Sequence, residues 1–107
     1  MARKIPLKTV TVANGSGGPM PFVWGEMIQV ILKTADKQKG MTMDEVLVCV
    51  DAMKPLDKAM EEGAEYVTFS ESQYKLLREK LDRFPFGVAT QEVAEFGLAI
   101  RDAKEIT

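Results

Sequence analysis

Apolar residues recur at helical spacing in four stretches of the chain and alternate with polar ones in two. Residues 70–87, SESQYKLLREKLDRFPFG, hold a complete helix signal. Ser70 and Gln73 stand in capping-box spacing at its start. Tyr74, Leu77 and Leu81 fall on one side, with Leu76 beside them, and Lys75, Arg78, Glu79, Lys80, Asp82 and Arg83 cover the rest. Pro85 pushes the residue before it out of the helical region, which predicts a helix over about 71–83.

The same reading predicts a helix over about 22–37, opened by Pro21 or Phe22. Phe22, Val23, Met27, Val30, Ile31 and Ala35 form a wide apolar face, which Trp24, Ile28 and Leu32 broaden. Thr42, with Glu45 as its capping-box acid, begins a helix over 43–62 that carries Met43, Val46, Leu47, Val50 and Met53 as its apolar face. Pro55 predicts a kink or a break there, with Leu56, Ala59 and Met60 continuing an apolar face beyond it, and Gly63 an end. Thr90 caps a fourth helix over about 91–102, with Val93, Phe96, Gly97 and Ile100 on its apolar side and a fraying end after it. Alternation over about 5–12 and the run 65–69, EYVTF, predict two strands that pair antiparallel. Residues 13–19, rich in glycine, make a turn or tip loop. The expected fold is one α+β domain over 1–107: three to four helices on a small antiparallel sheet of two or three strands.

Composition bounds the function more than the fold. At 107 residues the chain suits a single domain with one modest core. Its 46% hydrophobic and 28% charged residues describe an ordinary globular protein. A net charge of −2 argues against the broad basic face that nucleic-acid binding needs, so no nucleic acid is expected. There is no histidine, hence no usual general base and no commonest metal ligand. The one cysteine, Cys49, lies in the apolar run Val46–Val50 and reads as a buried structural thiol. The start MARKIPLKTV lacks the apolar segment of a signal peptide, and the stretch near 23–32 is too short and too interrupted to span a bilayer. A soluble intracellular protein is expected.

Candidate chemistry is thin. The glycine loop lacks the Lys-Ser/Thr of a phosphate cradle, since Pro19 and Met20 follow Gly18. The carboxylates sit at helix starts or on charged faces, and Glu61, Glu62 and Glu65 lack the alternation of a calcium loop. No catalytic residue, cofactor site or metal site is assigned. The methionines fill irregular core gaps and also suit adaptable protein-binding surfaces. Phe84, Pro85 and Phe86 exceed what a helix stop requires, and plug the core or anchor another chain. Trp24, close to the glycine loop, shares that ambiguity. These four are the candidate protein-contact residues.

The order of strand, glycine turn, apolar helix, Gly-Met-Thr-Met-Asp-Glu at 40–45 and short strand resembles small proteins of tailed bacteriophages and prophages. Ser72-Gln73-Tyr74-Lys75-Leu76-Leu77 and the turn from Phe84 to Val88 carry the likeness, which covers most of the chain loosely. It implies a non-enzymatic structural, assembly or accessory protein, in the host cytoplasm or the virion. Its partners would be other phage proteins and copies of itself. A small transcriptional regulator or antitoxin-like protein is the alternative reading.

Overall fold

The computed structural model describes residues 2–14, 18–34, 40–84 and 91–106. Element order is β1 (Ala2–Pro6), β2 (Thr9–Asn14), β3 (Gly18–Val23), α1 (Trp24–Lys33), α2 (Met43–Glu61), β4 (Tyr66–Ser70), α3 (Glu71–Arg83), α4 (Gln91–Arg101) and β5 (Lys104–Ile106). The α+β class is as expected, and so is the antiparallel pairing of the N-terminal strand with the run after α2.

What alternation does not reveal is where a strand changes partners. Residues 5–12 divide between two sheets. Ala2–Pro6 pairs with Tyr66–Ser70 on one side and, through Ala2–Lys4, with Lys104–Ile106 on the other, giving the order β4-β1-β5. Thr9–Asn14 pairs instead with Gly18–Val23 as a separate two-stranded ribbon. Residues 104–106, expected to fray, are a strand. Pro6 fits because backbone groups alternate sides along a strand. Leu7 donates its N–H to Glu65 O at 2.7 Å, so Pro6 turns the other way, past the last residue β5 pairs.

The same alternation corrects the start of the first helix. Trp24 donates its N–H to Lys8 O at 2.9 Å, which puts the even positions of β3 on the paired side. Pro19 and Pro21 therefore fall on the ribbon's free edge, where a missing donor costs nothing. Pro21 and Phe22 belong to β3, and the helix begins at Trp24 without a side-chain cap.

Both predicted capping boxes form. Glu45 N–H donates to Thr42 Oγ1 and Thr42 N–H to Glu45 Oε1; Gln73 N–H donates to Ser70 Oγ and Ser70 N–H to Gln73 Oε1. Gly63 closes α2 at φ +68°. The N–H of Gly63 reaches Met60 O while that of Ala64 reaches Ala59 O, the paired bonds of a Schellman end. Pro55 does not break α2, which runs through it for 19 residues. Cys49, Ala52, Leu56 and Ala59 are buried together along one face, and that shared burial holds the helix continuous across the lost hydrogen bond.

One core joins sheet and helices: Ile5, Val67 and Phe69 from the sheet, Trp24, Ile28, Ile31 and Leu32 from α1, Leu56 from α2, Tyr74, Leu77 and Leu81 from α3, and Phe96 and Ile100 from α4. Replacing Thr42 or Ser70 by Ala is expected to cost about 1 kcal/mol each in denaturant unfolding, additively because the two caps share no partner. Pro55→Ala is expected to raise stability by about 1–2 kcal/mol in the same measurement, by restoring a helical donor.

Candidate protein-contact surfaces

Trp24 lies in the core, 2% exposed, so it presents no surface to another chain in this fold. Its ring meets Phe96 edge-on, with centroids 5.4 Å apart, and Phe22 packs on the same Phe96 ring at 5.3 Å. Lys8 Nζ lies 5.4 Å from the indole centroid. The indole N–H is buried with no acceptor among the described residues. Phe84 is half-buried and packs against the core, just after its own N–H closes α3 onto Leu81 O at 3.3 Å. With Leu81, Val93, Gly97 and Leu98 it lines an open groove of about 450 Å³ between α3 and α4. Pro85 and Phe86 lie outside the described residues.

The ends of α3 and α4 are clasped by polar groups. The Tyr74 hydroxyl donates between Ile100 O at 2.7 Å and Arg101 O at 2.9 Å, satisfying carbonyls at the end of α4. The Arg3 guanidinium lies 4.8 Å above the Tyr74 ring, bonds Ala103 O at 3.0 Å, and pairs with Glu71 at 3.3 Å. Arg101 pairs with Asp82 at 2.7 Å on the surface. These bonds tie β1, α3 and α4 together, and all are accounted for by structure.

Among the described residues no charged side chain is buried, and no group of three or more acids and cysteine is placed to hold a metal ion. Cys49 is 6% exposed, and burial raises its thiol pKa above the ordinary value, with Lys80 opposing the rise. No helix of the described residues is long and apolar enough to cross a membrane.

The surface that the sequence reading missed is on α2. Met43, Leu47 and Val50 are 70%, 55% and 52% exposed. Their i, i+4, i+7 spacing makes a continuous stripe, opposite the buried Cys49, Ala52, Leu56 and Ala59. The expectation took Met43, Leu47 and Val50 as the inward face. The sequence predicts a buried Cys49 and an apolar face of Leu56 and Ala59 beyond Pro55. The break expected there hides that Cys49, Ala52, Leu56 and Ala59 form one stripe at helical spacing, with small residues on the side where helices approach closely. A helix with apolar stripes on both sides has one to spare.

Two outcomes check these placements. Alkylation of Cys49 in the native protein is expected to be slow and to accelerate in denaturant, since burial both shields the thiol and disfavours its thiolate. Tyr74→Phe is expected to cost about 1–2 kcal/mol in urea unfolding, because it strips a partner from carbonyls at the end of α4. No family model, curated protein or solved structure matches the chain.

Proposed function

We propose that the protein works by binding other protein chains, as a non-enzymatic structural or assembly component of a tailed bacteriophage or prophage, and that it forms a homo-oligomer. The observation that carries this reading is the stripe of Met43, Leu47 and Val50, more than half exposed along one helix face. A lone exposed apolar residue needs no explanation, but several in a row on a rigid helix leave apolar area in water that association would remove. The groove beside Phe84 is a second candidate surface. The likeness of Ser72–Leu77 and the aromatic turn to small phage proteins supports the biological setting, the host cytoplasm or the virion. Exposed charged side chains and the lack of histidine favour contact over chemistry.

The test combines solution mass with binding to the products of the flanking genes. A mass above the 11.9 kDa of one chain, or a defined complex with a neighbouring gene product, is expected. A strict monomer that binds none of them overturns the reading. Flanking genes for terminase, portal or tail proteins are expected, and a metabolic operon would overturn the phage setting.

A further inference from the structure

We propose that the exposed face of α2 is a self-association surface on which a second copy of this chain docks its own α2, antiparallel, about a two-fold axis between Leu47 and Val50. The inference rests on the contact reading above and adds the surface, the partner and its direction.

The geometry of the stripe comes first. Met43, Leu47 and Val50 point directly away from the buried side of α2 and are each more than half exposed, the placement a second helix would need to lie along them. Half-buried Val46 and Met53 border one side of the stripe. Charge then selects the partner. The other flank carries Asp44 and Asp51 in its N-terminal part and Lys54 and Lys58 in its C-terminal part. A strip that is acidic at one end and basic at the other is complementary to itself only when the second copy runs the opposite way. A parallel two-fold pair would instead lay this charged flank against the partner's Val46 and Met53 border, so that Asp44 and Lys54 would not meet. In the antiparallel pair Leu47 faces the partner's Val50, and Met43 lies against the stem of the partner's Lys54. The ammonium of that lysine is then beside Asp44. Both halves of each contact occur twice, as an isologous interface requires. The antiparallel arrangement also opposes the two helix dipoles favourably.

Existing bonds leave these groups available. Lys54 holds Asp51 at 3.5 Å, with both side chains well exposed, a pairing that contributes little and exchanges readily. Asp57 is held by Gln29 at 2.6 Å and lies toward the far border of the stripe. Glu61 falls beyond the partner's first helical turn in this register, while Asp51 lies near the partner's Asp44, a like charge that its bond to Lys54 offsets.

The patch is small, which places the association among weak interfaces, to be read by sedimentation equilibrium at up to roughly 100 µM protein. The wild-type chain is expected to dimerise there. Leu47→Glu is expected to raise the dissociation constant at least about tenfold while leaving the thermal midpoint of dilute protein unchanged, because position 47 is exposed. Asp44→Lys alone is expected to weaken dimerisation about fivefold, and Asp44→Lys combined with Lys54→Glu to restore it. Restoration by the double reversal is specific to the antiparallel contact. A wild-type chain that stays monomeric, an oligomer indifferent to Leu47→Glu, or a double reversal weaker than the single one overturns the proposal. A monomer that still binds a neighbouring gene product, or an oligomer built on another face, overturns this interface alone and leaves the contact function standing.

Discussion

Strand β1 is the constraint on which the rest of the fold depends. It lies between β4 and β5, so one five-residue segment holds down residues 66–70 and 104–106 at once. Closing those long loops costs chain entropy, which grows only slowly with length, and the burial of Ile5, Val67 and Phe69 offsets it. The helices then have a floor to pack on. Arg3 leaves the same strand to stack on Tyr74, whose hydroxyl holds the end of α4, so the pairing of β1 also fixes the last helix.

The aromatic cluster is the second anchor, and it explains why Trp24 is unavailable to partners. A two-stranded ribbon is marginal by itself in water. This one is tied at its base by the Trp24–Lys8 backbone bond and by Phe22 packing on Phe96, the ring that Trp24 also meets. Trp24 is spent on joining ribbon, α1 and α4. Pro19 and Pro21 guard one edge of the ribbon against further strand pairing, because proline offers no donor there.

Among the described residues, three of the six exposed large apolar side chains, Met43, Leu47 and Val50, lie on α2. That helix divides its two apolar stripes between two jobs. Leu56 and the small residues Cys49, Ala52 and Ala59 face inward, and Met43, Leu47 and Val50 face water. Small residues let α2 approach its neighbours closely.

Local chemistry was legible in the chain itself. The caps at Thr42 and Ser70, the end at Gly63 and the helix over Glu71–Arg83 follow from bonds made within a few residues, which sequence spacing encodes directly. The pairing of the first strand with the run after α2 was also readable, from alternation and order. Tertiary structure decided the rest. Only the partner strands tell β1 from β2, only the ladder side tells an edge proline from a helix-opening one, and only shared burial carries α2 through Pro55. The two faces of α2 read alike by period, since both repeat at helical spacing. Which one is covered depends on the elements that reach it, and that is a property of the packed chain.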